Sequence, residues 1–438
     1  MITSMDTIVS LAKRRGFVFQ SSEIYGGLAS TYDYGPLGVE LKRNIKDAWW
    51  RTFIHQREEI VGVDTAILMA PQVWEASGHV AGFTDPLVEC KNCHHRFRED
   101  QLEAKTCPDC QGNLTEAKQF NLMFKTFLGP VEGNAAQTYL RPETAQGIFV
   151  NFQNVLNSTR NKLPFGIAQI GKAFRNEITV GNFIFRTREF EQMEIEYFVM
   201  PGTDEEWHQH WVEECLRWYL GIGISKDSLR VREHGPKELS HYSKATRDIE
   251  YAFPWGWGEI QGISNRTSFD LEVHSKNSGV RLDYFDEETK KHHVPYVIEP
   301  SAGVDRIFLT VLIDAYTEED VISTEGKQTN RTLLKLHPSL APIKVAILPL
   351  SRNDRLVPKA REVYNMVRSH FVTQYDDSQS IGRRYRRQDE IGTPLCVTVD
   401  FDTLTTDDGV TIRNRDSMDQ VRVKIPDLIP TLHDLLSQ

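Results

Sequence analysis

FGIAQIGKAFRNEITVGNFIFRTREFEQMEIEY, residues 165–197, decides the fold. It reads as two strands joined by a loop. On the first strand Arg175 and Glu177 share parity, so both side chains are expected on one face. On the second, Phe190, Gln192 and Glu194 share one face, while Met193, Ile195 and Tyr197 share the other, which is apolar and suits a core. A cation, an aromatic ring and carboxylates then meet on one surface. That set suits a nucleotide and an amine bound side by side; the charged, solvated face of an ordinary sheet has the same pattern.

Outward from this hairpin, the region 119–335 alternates strand-like segments with polar loops, and SFDLEVHS (268–275) also has a two-residue period. Successive strands without long intervening helices predict an antiparallel sheet and an α+β fold. The exception is WHQHWVEECLRWYLGIG (207–223), a helix with Trp211, Cys215, Trp218 and Tyr219 near one face. Upstream, residues 5–15 read as an amphipathic helix with Ile8, Leu11 and Ala12 together. GPLGVELKRNIKDAWWRTFI (35–54) reads as a second, with a stripe of Leu37, Leu41, Ile45 and Trp49. Downstream, PYVIEPSAGVDRIFLTVLIDAY (295–316) reads as strand, small-residue turn and helix. Glu299 and Ser301 share a strand face, and Gly303 permits close approach or an unusual backbone angle. Arg306 falls in the first helical turn, where a helix start and a guanidinium suit phosphate oxygens. A structural Arg–Glu pair fits that spacing too.

The prolines of LKLHPSLAPIK (334–344) mark a boundary near residue 340. Beyond it KVAILPL, LVPKAREVYNMVRSHF, PLCVTVDFDTL and GVTIRNRD alternate strand and helix, the pattern of a small α/β domain. Residues 88–115 are polar, short of apolar anchors, and hold Cys90-x2-Cys93 and Cys107-x2-Cys110. This spacing predicts a structural zinc ribbon, because four thiolates leave no open position for catalysis. Cys215 and Cys396 are isolated, and a reducing compartment, the cytoplasm, is expected. Lys13, Arg14 and Arg15 follow the first apolar stretch instead of preceding it, against the order of a secretory signal. No segment reaches the roughly 18–20 apolar residues of a membrane helix. The net charge of −10 argues against a non-specific nucleic-acid binder but leaves room for a local basic patch. One candidate is Arg383, Arg384, Arg386 and Arg387 in IGRRYRRQDE, readable as a solvated turn or as a phosphate contact.

FRNE followed by FRTREFEQME, and GVDR leading an apolar helix, resemble motifs 2 and 3 of the class II aminoacyl-tRNA synthetases. LRPETAQGIFVNF, AFRNEITVGNFIFRTREFEQMEIEYFV, WGEIQGISNRTSFDLEVH and VIEPSAGVDR resemble the homodimeric glycyl-tRNA synthetases, and the likeness covers nearly all the chain. It implies a catalytic domain over 1–340, the zinc ribbon at 88–115 within it, and an anticodon-binding domain over 341–438. The implied activity joins glycine to ATP as glycyl-adenylate, then moves glycyl to the terminal adenosine of tRNA-Gly.

The same resemblance implies residue roles. Arg175 holds the α-phosphate and the amino-acid carboxylate, Arg306 the γ-phosphate, and Glu259 a Mg²⁺ ion with Ser301; Arg175, Arg306 and Glu259 form the catalytic set. Phe190 stacks on adenine, and Glu177 meets the adenine amino group or the tRNA end. Asn176, Phe185, Arg186, Thr187, Arg188, Glu189, Ile260, Gly303, Val304 and Asp305 complete the expected ATP site. Glu143, Glu194 and Glu299 surround the glycine ammonium, and Ser301 crowds the α-carbon. Arg98, Phe190, Glu191, Gln192, Met193, Pro300, Ala302 and Gly303 complete the expected glycine site. The 37–71 region resembles motif 1, the dimer contact, although the Leu37/Leu41/Ile45/Trp49 stripe is also what ordinary core packing gives. Two other readings compete: an inactive binding protein on this fold, and an adenylating enzyme with another acceptor. Retention of Arg175, Glu177, Phe190, Glu259 and Arg306 speaks against the first, and the complete C-terminal domain against the second.

Overall fold

The computed structural model describes residues 4–102, 104–130, 137–178, 181–240, 242–322 and 328–437. Seven strands make the central sheet: β1 Ile60–Gly62, β2 Phe165–Phe174, β3 Glu189–Val199, β4 Leu229–Glu233, β5 Ala245–Phe253, β6 Gly256–Thr267 and β7 Tyr296–Gly303. Their spatial order is β4-β5-β6-β7-β3-β2-β1. Every neighbouring pair is antiparallel except β1 with β2.

One face of this sheet is apolar because each central strand contributes every second residue to it. Met193, Ile195 and Tyr197 of β3 are buried there with Ile260 and Ile263 of β6 and Ile298 and Ala302 of β7. The helices α1 Met5–Arg15, α2 Pro36–Trp50, α3 Asp204–Gly221 and α5 Val304–Ala315 cover it. Ile8, Leu11 and Ala12 of α1 and Trp211, Cys215, Trp218 and Tyr219 of α3 turn into this core, as their spacing predicts. So do Leu41, Ile45 and Trp49 of α2, with Leu37 half-buried beside them; the stripe is packing within the chain. Pro36 opens α2, where a missing N–H costs nothing.

The opposite face changes character along its length. At one end Phe165, Ile167, Phe198 and Val297 pack under the helix Ala145–Val150 and under Leu271 of α4, Phe269–Ser278. At the other end the same face carries Gln192, Glu194, Glu299 and Ser301, and it stays open as a cavity.

Two expectations need correction here. SFDLEVHS is helical. Asp270 and Glu272 in the first turn complement the helix dipole, Ser268 Oγ donates to Glu272 at 2.6 Å, and Gly279 closes the helix at φ 73°. Arg175 and Glu177 lie beyond β2, which ends at Phe174. The chain leaves the sheet there because Asn176 N–H turns to the carbonyl of Leu122, at 2.7 Å.

A second sheet, β8 Val345–Pro349, β9 Thr373–Tyr375, β10 Leu395–Val399, β11 Gly409–Asn414 and β12 Gln420–Lys424, has the order β9-β8-β10-β11-β12. It has its own apolar core, with Val345, Ile347, Val397 and Ile412 packed on Val363 and Val367 of α6, Leu356–Val367. The arginine cluster is neither a turn nor a free patch. It lies on α7, Ile381–Ile391, where Arg384 is fully buried and donates to the carbonyls of Pro349, Leu350 and Asp376. Arg387 pairs with Asp376, Arg386 donates to Asn330 O at 3.0 Å, and Arg383 is exposed. The hairpin after α5, a separate two-stranded sheet, meets α7 through charge: its Arg331 donates to Asp389 of α7 at 2.9 Å, and Arg413 of β11 approaches the same carboxylate at 2.9 Å.

Candidate active site

A cavity of about 370 Å³ opens on the polar end of the central sheet, within the range of small-molecule sites. Its walls come from β3, β6 and β7, the start of α5, and the loop between β2 and β3. Antiparallel register decides what meets there. Glu194 of β3 stands opposite Ser301 of β7, which stands opposite Gly262 of β6; one row deeper, Glu299 faces Ser264.

Two arginines mark one half of the cavity. Arg175 donates from Nε to Pro142 O at 3.0 Å, and its guanidinium lies 5.3 Å from the ring centre of Phe190. Arg306 leaves the first turn of α5, donates from Nε to Phe185 O at 3.1 Å, and stacks 4.4 Å over the Phe185 ring. Its Nη1 reaches Glu259 Oε2 at 3.2 Å. The cavity walls desolvate Glu259 and would raise it, but Arg306 outweighs them and holds the carboxyl below its ordinary range. Gly262 leaves a gap between acids: a Cβ there would lie 3.7 Å from Asp248 Oδ1 and 3.8 Å from Glu259 Oε1.

The other half is acidic. Glu143, Glu194 and Glu299 line it with Gln192 and Ser301. Glu143 takes Gln146 Nε2 at 3.1 Å and His79 Nε2 at 3.3 Å. Burial would raise Glu143, yet the charge and hydrogen bond of His79 hold it well below the carboxylate range. Glu194 is shifted the other way, up, by burial and then by the charge of Glu143. Burial pushes Glu299 up to about 8 against the pull of Arg266, with Glu194 and Glu143 adding to the rise. Arg266 is itself buried, donating to Asp270 at 2.7 and 2.8 Å and to Glu299. Three unlike environments for neighbouring carboxylates make a poor structural cluster, because like charges repel; they suit a bound cation.

Two family models match the chain: the tRNA synthetase class II core domain (G, H, P, S and T) over residues 126–316, and the anticodon binding domain over 344–435. Curated relatives match over nearly its whole length. A glycine–tRNA ligase of Thermobifida fusca is 58% identical across 96% of both chains. One of Acetivibrio thermocellus is 54% identical across 97% of both, and one of Streptomyces coelicolor 55% across 96% of both. The chain belongs to the glycine–tRNA ligase family. Within class II of the aminoacyl-tRNA synthetases, its core is the α+β, antiparallel-sheet kind.

For this glycine–tRNA ligase family member, the cavity gathers fifteen of the residues that the sequence singles out. Arg175, Glu177, Phe185, Arg186, Thr187, Phe190, Glu259, Gly303, Asp305 and Arg306 line it, as do Glu143, Gln192, Glu194, Glu299 and Ser301. Gly303 has an ordinary φ of −85°, so no unusual backbone angle requires a glycine. The others stand outside its walls for stated reasons. Met193, Ile260, Ala302 and Val304 belong to the hydrophobic core, and Pro300 is buried among them by strand alternation. Glu191 is taken by Lys42 at 2.9 Å and Lys46 at 3.0 Å. Glu189 pairs with Lys172 on the surface, Arg188 donates to Ala29 O, and Asn176 is turned to Leu122. Arg98, on the short strand Arg96–Arg98, is held by Asp85 at 2.9 Å and Asp100 at 2.7 Å.

Sequence reasoning missed several wall residues. His234 and Asp248, 2.6 Å apart, line the cavity, as do Tyr242, Thr246 and Ser264. Glu196 and Arg266 lie just beneath. The parity that selects Gln192 and Glu194 extends to Glu196, so that signal was present. Nothing in periodicity marks a buried arginine such as Arg266.

Away from this site, the four cysteines of the insertion converge. Cys90 Sγ and Cys110 Sγ are 3.5 Å apart, Cys93 Sγ and Cys107 Sγ 3.6 Å, and all four lie within 4.8 Å of one another. A tetrahedral ion with four sulfurs at about 2.3 Å sets its sulfurs about 3.8 Å apart. The donor set therefore fits one metal ion. Backbone N–H groups of Asn92 and Cys93 point at Cys90 Sγ, as a thiolate requires.

Proposed function

We propose that the cavity is where glycine and ATP react. The observation that carries this is one space lined by Arg175 and Arg306 in one half and by Glu143, Glu194 and Glu299 in the other. The glycine carboxylate is already a nucleophile at neutral pH, so no general base is needed. Catalysis is positioning and charge neutralisation. The planar fork of Arg175 binds two oxygens at once, one of the attacking carboxylate and one of the α-phosphate, as the bond between the α- and β-phosphates breaks and pyrophosphate leaves. Arg306 binds the γ-phosphate from the helix start. Phe190, beside Arg175, offers adenine a face, and Glu177 contacts its amino group. Glu143, Glu194 and Glu299 take the ammonium, and Ser301 fills the space a side chain on Cα would need. Glu259 and the gap at Gly262 suit a hard cation with oxygen ligands, so Glu259 and Ser301 would hold Mg²⁺. That ion supplies neutralisation of phosphate charge when bound. In the second step a ribose hydroxyl of the terminal adenosine of tRNA-Gly attacks the activated carbonyl and AMP leaves.

The C-terminal domain binds the anticodon in this reading. Of the four clustered arginines only Arg383 is left for phosphates, since the other three are occupied within the chain. Zinc is the metal expected at Cys90, Cys93, Cys107 and Cys110, in a structural role. A homodimer in the cytoplasm is the expected state. Exposed Ile24, Tyr25 and Leu28 support a protein contact there, and the buried α2 stripe is not its surface. ATP–pyrophosphate exchange with glycine, alanine and serine in parallel tests the reading. Exchange driven by glycine alone is expected, and exchange driven by alanine or serine but not glycine would overturn it.

A further inference from the structure

The chemistry assigned above leaves one buried acid without a task. Glu196 continues the Gln192/Glu194 face of β3 one step deeper. In the register that pairs Glu194 with Ser301 and Tyr197 with Ile298, it stands across from Glu299. It is fully buried, and neither of its carboxylate oxygens has a hydrogen-bond partner among the described residues. An oxygen from each of Glu194, Glu196 and Glu299 lies within 4.8 Å of the others. The charged and titratable groups facing Glu196 are Glu299 on β7, Arg266 at the end of β6, Glu194 on its own strand and Asp270 on α4. Glu143 and His79 stand on the far side of Glu194.

An ionised carboxylate cannot rest there cheaply. The guanidinium at hand among the described residues, that of Arg266, is already divided between Asp270 and Glu299. Two carboxylates this close do not both ionise when buried, and a buried charge with no partner costs several kcal/mol. A neutral acid removes both difficulties: it carries no charge, and its O–H has a carboxylate within 4.8 Å toward which to turn.

We propose that Glu196 is a positioning residue of the amino-acid niche: as a neutral acid it donates its proton to Glu299 and so holds that carboxylate toward the substrate ammonium. The idea rests on the reading of Glu143, Glu194 and Glu299 as the glycine pocket. Burial, followed by the charge of Glu299, pushes Glu196 well above the carboxylate range, in the same sense.

The test compares Glu196→Gln, Glu196→Leu and Glu194→Gln in the full-length protein. ATP–pyrophosphate exchange gives KM for glycine and for ATP between about pH 6 and pH 9, and thermal melts check folding. Glutamine is neutral and still donates, so Glu196→Gln is expected to hold the glycine KM within about threefold of the parent, with the parent's pH profile. Leucine cannot donate, so Glu196→Leu should raise the glycine KM about tenfold or more over the glutamine variant, with the ATP KM unmoved. A leucine variant with the parent's glycine KM overturns the proposal. So does a glutamine variant as impaired as leucine, which would mean the niche needs the anion. Should the leucine variant not fold, the glutamine variant alone decides by the same criterion. Glu194→Gln separates the two levels: a raised glycine KM there leaves the pocket standing whatever Glu196 does, and an unmoved one removes the pocket itself.

Discussion

Ser301 and Glu299 carry the sharpest tests at the scale of single residues. If Ser301 excludes a side chain on Cα, Ser301→Gly should raise alanine-driven exchange relative to glycine by about tenfold, since one methyl group is worth roughly 1–3 kcal/mol in a fitted pocket. An unchanged ratio would remove Ser301 from specificity. Glu299 predicts a pH effect. In the free protein, with no ammonium beside it to favour the carboxylate, burial pushes its carboxyl up to about 8 against 4.5 unperturbed, so the folded state binds more protons between these values. Stability of the free protein should therefore fall as pH rises through that window, and be fully present below it. Melting temperature against pH reads this, and Glu299→Gln should flatten the slope. Glu194, Glu299 and Ser301 were legible because strands alternate strictly: a polar residue among apolar ones can only face the other way. Arg175 was legible as a residue of the cavity wall but not in its position on the strand, because the chain turns to a distant carbonyl, that of Leu122.

Elements were legible where one periodicity dominated, as in α1, α2, α3, β3 and the β7–α5 turn. The misread segment, 268–275, fails for a specific reason. Phe269, Leu271 and Val273 alternate as a strand would, while the acidic first turn and Gly279 favour a helix, and these local end signals win. IGRRYRRQDE misleads in the opposite sense. Its arginines suggest solvent, yet Arg384 is fully buried because three carbonyls accept its protons, a tertiary arrangement with no local signal. Two predictions belong at this scale. Ile45→Ala in α2 should cost about 2–5 kcal/mol in denaturant unfolding, as cavity-forming changes do, with little change in KM per folded molecule. Metal removal by chelation, or Cys107→Ser, should loosen the insertion: limited proteolysis is expected to cut within 88–115 before any other region. Resistance equal to that of the untreated protein would deny the four sulfurs a structural metal.

On the scale of the whole molecule, the prolines of 334–344 suggest a boundary near residue 340, but no local signal pointed to the contact between Arg331 and Asp389. Asp389 of α7 receives both Arg331 and Arg413 out of water, a three-way contact assembled from distant parts of the chain. Breaking a buried ion pair by removing one partner costs about 3–5 kcal/mol, because the other charge stays unpaired. Asp389→Ala should therefore loosen the joint between the hairpin and α7, lowering tRNA charging more than pyrophosphate exchange, since only charging needs both domains on one RNA. Equal loss in both assays would point to general unfolding, which melts distinguish. Adenylation of glycine as proposed requires the phosphates and the ammonium to share one cavity. The most direct measurement is a crystal structure with a non-hydrolysable glycyl-adenylate analogue. The phosphate mimic is expected against Arg175 and the ammonium within hydrogen-bond reach of Glu143, Glu194 and Glu299; an analogue bound with its ammonium outside that acidic niche, or with Arg175 clear of the phosphate mimic, would overturn the shared site.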